Sequence, residues 1–279
     1  MTMLQTLLLS NNDFSGPIPI ELSLLTKLVI LRLNENAFTG PIPTQLQSLT
    51  DIQELNLDQN ALSGVPPAVL GQLTTLTQLQ LGSNQFTGTF PSFIALLTNL
   101  VRLNMNSNQF TGEIPSFVDQ LTSLRYLYIQ ANQLSGTIPT AIGMATALTH
   151  FYANNNGLEG AIPNEVEQLT NLVALNVGGN QHTGAEPGIC AIKDNLAPPA
   201  GYCLLAQNPW TDATKCPACL NTGPCPPPLI CTGSNFPTTA PTAGPTQLFD
   251  CFVTTGIELK YCMRWRACAA SGGTLCDDG

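Results

Sequence analysis

Ten cysteines carry the most evident covalent chemistry of this 279-residue sequence, and all of them follow Gly184. They are Cys190, Cys203, Cys216, Cys219, Cys225, Cys231, Cys251, Cys262, Cys268 and Cys276. An even number packed into the carboxy-terminal third predicts disulfide bonds and an oxidising compartment. Cys216 and Cys219 also have the spacing of zinc ligands, but no second such pair and no nearby histidine completes a zinc site. We therefore expect disulfides and no bound metal, with the pairing of the cysteines left open.

Catalytic motifs are missing from the sequence. It contains no phosphate-binding P-loop, no G-x-S-x-G, no H-E-x-x-H and no kinase signature. Two histidines and scattered carboxylates offer no acid–base pair, so we expect no enzymatic activity and no cofactor. A net charge of −9 argues against nucleic acid as a partner. No apolar run approaches the roughly 18 residues of a membrane-spanning helix.

A group of aromatic and basic side chains offers non-covalent binding instead. Tyr126 and Tyr128 alternate with an apolar residue, and so do His150 and Tyr152 in a second segment. Arg102 precedes Tyr126 by 24 residues, and Tyr126 precedes His150 by the same interval. Where these side chains lie therefore depends on the element that repeats with this period.

Asparagines spaced 24 residues apart mark the repeat. They are Asn12, Asn36, Asn60, Asn84, Asn108, Asn132, Asn156 and Asn180. Eight units, with no insertion or deletion between them, begin at Leu4, Leu28, Ile52, Leu76, Leu100, Leu124, Leu148 and Leu172. A fixed period of this kind predicts a solenoid of stacked coils.

The first half of each unit predicts a strand. In the fifth unit, polar and apolar residues alternate from Arg102 to Asn106, with Leu103 and Met105 as the apolar members. One unit is too small to bury its own apolar face, so we expect eight strands to stack as one parallel sheet. The asparagine after each strand has two donors and an acceptor, which predicts a buried ladder of side-chain amides between coils.

The second half of each unit predicts a turn and a short helical segment. Gly112 follows Phe110 and Thr111, where it admits backbone angles that other residues avoid. Pro115 fixes φ just before apolar residues that recur every three positions. This spacing predicts a 3₁₀-like segment on the outer side of the coil.

Together these residues closely resemble the plant-type leucine-rich repeat, LxxLxLxxNxLSGxIPxxLxxLxx. That repeat occurs in ectodomains of receptor-like kinases, in receptor-like proteins and in polygalacturonase-inhibiting proteins. The resemblance covers Leu4 to about Pro187. It implies an α/β solenoid, a curved superhelix with a parallel sheet on its concave side and 3₁₀ helices and loops on its convex side. It also implies function by ligand recognition, although the motif specifies a fold better than a function.

The sequence divides into four segments. Residues 1–189 form the solenoid, 190–231 a Cys-rich carboxy-terminal cap, 232–247 a Pro/Thr-rich linker and 248–279 a second, incomplete Cys-rich segment. Because the first coil has no capping segment over its apolar edge, we expect a secretion signal and an amino-terminal cap to be missing from this chain.

The third and fifth positions of each unit are expected to face outward from the concave side of the sheet. In units six and seven they carry Tyr126, Tyr128, His150 and Tyr152, which we name the aromatic patch. With Arg102 beside it, the patch predicts a ligand-binding site, because Tyr and Arg give large contact areas with few torsions to restrict. The alternative is that cross-strand aromatic pairs only stabilise the sheet.

A charged group lies towards the amino-terminal end of the same face. Its members are Arg32, Glu35, Glu54 and Asp58. We expect Arg32 to form a surface ion pair with Glu54 or Asp58 that contributes little to stability.

Two functions fit these features. The first is an extracellular or cell-surface recognition module that binds a protein, peptide or glycan on the concave face. The second is a structural protein of a cell wall or extracellular matrix, crosslinked through its Cys-rich and Pro/Thr-rich tail.

Overall fold

The computed structural model describes residues 3–183 and 202–204, and each 24-residue unit forms one coil of a solenoid. The first strands of the coils pair side by side into a nine-stranded parallel sheet, here the first sheet. Its strands are Thr6–Leu8, Ile30–Arg32, Glu54–Asn56, Gln78–Gln80, Arg102–Asn104, Tyr126–Tyr128, His150–Tyr152, Ala174–Asn176 and Tyr202–Leu204. Eight strands were predicted, and the ninth extends the sheet by pairing with Ala174–Asn176.

A second parallel sheet, which the sequence did not predict, follows the turn after each first-sheet strand. Its eight strands are Ser15–Pro17, Ala37–Gly40, Ala61–Gly64, Gln85–Thr89, Gln109–Glu113, Gln133–Gly136, Gly157–Gly160 and Gln181–His182. The six strands between the first and the last each have a single buried apolar residue with exposed or half-buried neighbours, as at Phe110 between Gln109 and Thr111. Alternation over so few residues cannot be told from a turn, which is why the pattern was assigned to loops.

Short 3₁₀ helices close the first seven coils, as the period of three predicted. They are Ile20–Leu24, Thr44–Ser48, Ala68–Gln72, Ser92–Leu96, Ser116–Gln120, Thr140–Met144 and Asn164–Gln168. A proline precedes most of these helices in an extended conformation, and its carbonyl accepts the first helical hydrogen bond. The Leu46 N–H, for example, donates to the Pro43 carbonyl at 3.1 Å.

Apolar side chains from every coil fill the space between the two sheets and the 3₁₀ helices. The fifth coil alone buries Leu100, Leu103, Met105, Phe110, Ile114, Val118 and Leu121. Coils also stack ring on ring, since Phe86 and Phe110 have centroids 6.4 Å apart at an interplanar angle of 22°. Because each coil covers the apolar face of the next, stability depends on stacking.

The repeated asparagines tie neighbouring coils together. The Nδ2 group of Asn108 donates to the Leu81 carbonyl of the preceding coil at 2.9 Å and to the Met105 and Asn106 carbonyls of its own turn. Its Oδ1 atom accepts from the Phe86 N–H of the preceding coil at 2.9 Å. The same four-bond pattern recurs at Asn36, Asn60, Asn84, Asn132, Asn156 and Asn180.

The first coil differs from the others because no described coil lies before it. Asn12 is exposed, and its side-chain amide donates to the Leu9 and Ser10 carbonyls of its own turn. Phe14 is 45% exposed, whereas its equivalents Phe86 and Phe110 are fully buried. The expectation that a capping segment precedes this coil stays a prediction.

The predicted carboxy-terminal segments fall almost entirely outside the described residues. Cys203 lies in the last strand of the first sheet. The other nine cysteines, the linker 232–247 and the segment 248–279 lie outside the described residues, so their disulfides and boundaries stay predictions.

Candidate ligand-binding site on the first sheet

The aromatic patch is a two-by-two array of rings on adjacent strands. Strand register pairs Tyr126 with His150 and Tyr128 with Tyr152. The ring centroids of each pair are 5.0 Å apart, and the two rings on one strand are 6.2 Å apart. Because side chains alternate across a strand, Leu127 and Phe151 point the other way and are fully buried. The rings are half-buried, so each presents part of its surface.

Arg102 lies on the strand next to Tyr126 and extends the row formed by Tyr126 and His150. Its guanidinium carbon lies 4.2 Å from the centroid of Tyr126 and 5.8 Å from that of Tyr128. A guanidinium at these distances is attracted by the negative face of the ring. The charge of Arg102 also acts on the Tyr128 hydroxyl, so one positive charge is held against two rings.

Burial and Arg102 together set the charge state of the patch. Burial raises the pKa of Tyr128 above its ordinary value, while the nearby Arg102 charge opposes that rise. Burial lowers the pKa of His150, and Arg102 lowers it further. The His150 Nδ1 atom lies 3.0 Å from the Thr149 hydroxyl. At neutral pH, Arg102 is therefore the charged member of a set of otherwise neutral rings.

The predicted charged group separates into two parts. Arg32 pairs with Glu54, with Nη2 3.0 Å from Oε2, and does not pair with Asp58. The prediction of a surface ion pair was wrong for the carboxylate, since the Glu54 side chain is only 7% exposed. The hydrogen bond to Glu54 raises the pKa of Arg32. Glu35 accepts from the Asn34 amide at 3.1 Å.

Asp58 instead reaches across the neighbouring coil. Its Oδ1 atom accepts from the Gly82 N–H, and its Oδ2 atom accepts from the Asn104 amide at 2.9 Å. Burial raises the pKa of Asp58 to about 6, against the opposing effects of both hydrogen bonds and of Arg102. The sequence placed Asn104 at the fifth position of its unit, on this face, but the hydrogen bonds that join Asp58 to Asn104 and Gly82 were not predicted. The sequence feature that could have indicated this contact is Gly82, because it places a residue without a side chain at the seventh position of the fourth unit.

The arrangement favours binding over catalysis. Stacked rings, a fixed guanidinium and outward amides can contact a ligand, but they place no base beside a nucleophile. Within residues 3–183 and 202–204, no three His, Cys, Asp or Glu side chains are grouped to hold a metal ion. In the same part of the chain, no helix has the length and apolar character needed to cross a bilayer.

Family models and solved structures resemble this chain over its solenoid. The leucine-rich repeat models match residues 3–25, 26–86 and 74–134. No curated protein sequence matches the chain. The ectodomain of the Arabidopsis thaliana membrane receptor kinase GASSHO1/SCHENGEN3, solved with CASPARIAN STRIP INTEGRITY FACTOR 2, is 32% identical with a TM-score of 0.70. That alignment covers 74% of this chain and 24% of the receptor chain.

Two further plant proteins share the fold. The peptide hormone receptor RGFR1, solved with RGF2, is 31% identical with a TM-score of 0.66, over 75% of this chain and 37% of that chain. A plant ice-binding protein is 28% identical with a TM-score of 0.64, over 73% of this chain and 65% of that one. This chain therefore spans a quarter to two-fifths of the receptor ectodomains. Matching repeat models, two stacked parallel sheets and these neighbours lead to one conclusion: the chain is a leucine-rich repeat protein with coils of the plant type.

Proposed function

We propose that the chain is a non-enzymatic, extracellular recognition module. Its ligand is a protein, peptide or glycan, which binds the concave face of the solenoid at Arg102, Tyr126, Tyr128, His150 and Tyr152. The observation that carries this proposal is the ring array with Arg102 stacked against it. Rings already held by their neighbours lose little freedom when a ligand covers them, so their contact area is available for affinity.

The distribution of aromatic residues favours binding over simple sheet stabilisation. In the other first-sheet strands that belong to the repeat units, the third and fifth positions carry no aromatic residue, whereas the ninth strand begins with Tyr202, which pairs with Ala174. The third and fifth positions of those repeat-unit strands hold Thr6, Leu8, Ile30, Arg32, Glu54, Asn56, Gln78, Gln80, Arg102, Asn104, Ala174 and Asn176. Because those strands pair in the same register without rings, cross-strand aromatic pairs are not needed to form this sheet.

A peptide or protein is the ligand class that we favour over a glycan. Two similar ectodomains were solved with the bound partners named above, and one of them is described as a peptide hormone receptor. The patch combines one fixed positive charge with neutral rings, which suits a ligand with both polar and apolar groups. Extracellular placement is proposed from the same receptor ectodomains, which belong to membrane receptors.

Removing the rings of Tyr128 and Tyr152 should abolish most of the affinity of the chain for its ligand. A dodecapeptide selected from a random library on the 279-residue chain at pH 7.5 serves as the probe, with a glycan array tested in parallel. For the double variant Tyr128→Ala/Tyr152→Ala, we expect the Kd to rise by about 30-fold or more, because truncated aromatic hot spots cost about 2 kcal/mol or more. Calorimetric titration measures the Kd.

The double variant Gln78→Ala/Gln80→Ala is the matched control. Gln78 and Gln80 occupy the third and fifth positions of the fourth unit, two strands from Tyr128, and are half-buried like the rings. We expect it to bind the probe within about twofold of the unmodified chain, since it lies outside the patch. Equal probe binding by the tyrosine double variant and the unmodified chain would show that the patch is not the site.

A further inference from the structure

Asp58 connects three consecutive coils on the first-sheet face. It belongs to the third coil, its Oδ1 atom accepts from Gly82 in the fourth, and its Oδ2 atom accepts from Asn104 in the fifth. The bond to Asn104 spans 46 residues, whereas the asparagine ladder bonds between coils span 22 or 27. The protonation state of Asp58 can therefore affect a side chain two coils away.

The missing side chain at Gly82 makes this bridge possible. A Cβ atom there would lie 2.0 Å from the Asn106 Oδ1 atom and 2.7 Å from the Asn104 Nδ2 atom. Both amides would have to move, because real Cβ atoms do not approach other atoms so closely. Gly82 thus leaves the space in which the Asp58 carboxylate and the two amides meet.

The bridge fixes Asn104 in one orientation beside the aromatic patch. The Asn104 Nδ2 group donates to Asp58, and its Oδ1 atom accepts from the Asn106 N–H at 3.1 Å. Rotating the amide by half a turn would break both bonds. Strand register places Asn104 directly beside Tyr128, and Arg102 lies on the same strand.

We propose that Asp58 is a positioning residue for the ligand site, holding Asn104 and Arg102 in the arrangement that meets the ligand. The inference rests on the proposed function and deepens it, because it names a residue of the third coil that orders the site without being part of the ligand contact. Asp58 acts through its hydrogen bond to Asn104 and through its charge opposite Arg102, without touching the ligand.

Protonation of Asp58 should loosen this arrangement. The protonated carboxyl keeps a carbonyl oxygen for the Gly82 N–H, but its hydroxyl then meets the Asn104 donor, and the electrostatic attraction to Arg102 is lost. With a pKa of about 6, this change falls between pH 7 and pH 5. The other charged groups on this face are the Arg32–Glu54 pair, Glu35 and Arg102, with His150 in the patch.

The sign of the accompanying stability change is fixed by the direction of the pKa. Because folding raises the Asp58 pKa, the folded chain takes up this proton more readily than the unfolded chain. Ionisation of Asp58 therefore lowers stability as the pH rises from about 4 to about 6, and the effect is constant above that. The ionised form of Asp58 lowers the stability of the fold while it orders the site. A residue that orders a site at a cost in stability is typical of functional sites.

The test is the pH dependence of probe binding to two forms of the full chain, the unmodified chain and Asp58→Asn. For the unmodified chain we expect the Kd of the selected dodecapeptide to rise at least about fivefold from pH 7.5 to pH 5, with a midpoint near 6. Asp58→Asn should bind weakly at pH 7.5 and lack this transition, because its amide cannot offer Asn104 a second acceptor. The contribution of His150 remains in both chains and cancels in the comparison.

Two further variants separate positioning from general damage. Asp51→Asn removes a carboxylate at the end of the second coil, one that pairs with Lys27 at 3.0 Å, and should keep the full pH transition. Gly82→Ala keeps the carboxylate but displaces the amides, and should weaken binding at pH 7.5 as much as Asp58→Asn does.

If the tyrosine double variant loses binding while Asp58→Asn keeps the transition of the unmodified chain, the inference is overturned and the proposed function stands. If the tyrosine double variant binds normally, the proposed function fails, and this inference fails with it.

Discussion

Replacing Asn108 by alanine is expected to lower the free energy of unfolding by about 2–4 kcal/mol. The substitution leaves the buried Phe86 N–H without the Asn108 oxygen and removes a donor from the Leu81 and Met105 carbonyls. The Met105 carbonyl still accepts from Asn132 at 3.0 Å, which keeps the cost below that of four orphaned groups. Urea denaturation monitored by circular dichroism measures the change.

Asn12 is the natural control for Asn108. It has the same position in the first coil but is exposed, and both of its side-chain hydrogen bonds stay within its own turn. We expect Asn12→Ala to cost about 0.5–1 kcal/mol, since water can satisfy the freed carbonyls. Equal losses for the two variants would show that the ladder contributes nothing between coils beyond a local turn.

Truncating a stacked core ring to alanine should lower the free energy of unfolding by as much as Asn108→Ala does, or by more. Phe110→Ala is expected to lower the free energy of unfolding by about 3–5 kcal/mol, because Phe110 is fully buried and flanked by coils on both sides. It also removes the ring that stacks on Phe86. The cavity cannot close easily, since the neighbouring strands are fixed by their pairing on either side. The same denaturation experiment measures the loss.

Phe14 provides the comparison at an equivalent position. It stacks on Phe38 at 6.2 Å but is 45% exposed, so Phe14→Ala removes less apolar surface from water and leaves no closed cavity. We expect less than half of the Phe110 effect. A loss at Phe14 that matched the loss at Phe110 would contradict the role of stacking in burying each coil.

Much of the fold could be read from the sequence because the repeat has no insertions. An interval of 24 residues between Arg102, Tyr126 and His150 gives three equivalent positions on three neighbouring strands. The period of three after Pro43 similarly gives the 3₁₀ helix at Thr44–Ser48. In both cases the same local pattern recurs in successive units, and only a stack of coils can bury all of its apolar positions.

The second sheet was missed because its strands have no signal that lasts long enough. A segment such as Ala37–Gly40 contains one buried ring and ends at a glycine with φ of 76°, which also describes a turn. Its strand character comes from hydrogen bonds to the same segment in neighbouring coils. Pairing of this kind belongs to the stack and is not encoded within one unit.

Part of the candidate site could be predicted from the sequence for the same reason. Register follows from the period, so the neighbours of Tyr126 and Tyr128 were predictable from residue numbers. The Asp58 bridge was not, because it depends on a gap at Gly82 and on the rotamers of two amides. Such details break the repeat at a single coil, and a pattern averaged over eight units hides them.

The central claim is that ligand contacts the first sheet at coils five to seven, and a footprint of the bound probe tests it most directly. Amide and side-chain NMR signals of the 279-residue chain are followed while the selected dodecapeptide is added. We expect the largest shifts at Arg102, Tyr126, Tyr128, His150 and Tyr152, with small shifts at Thr87 and Thr111 on the second sheet. Largest shifts on the second sheet, with the ring signals unchanged, would contradict the account.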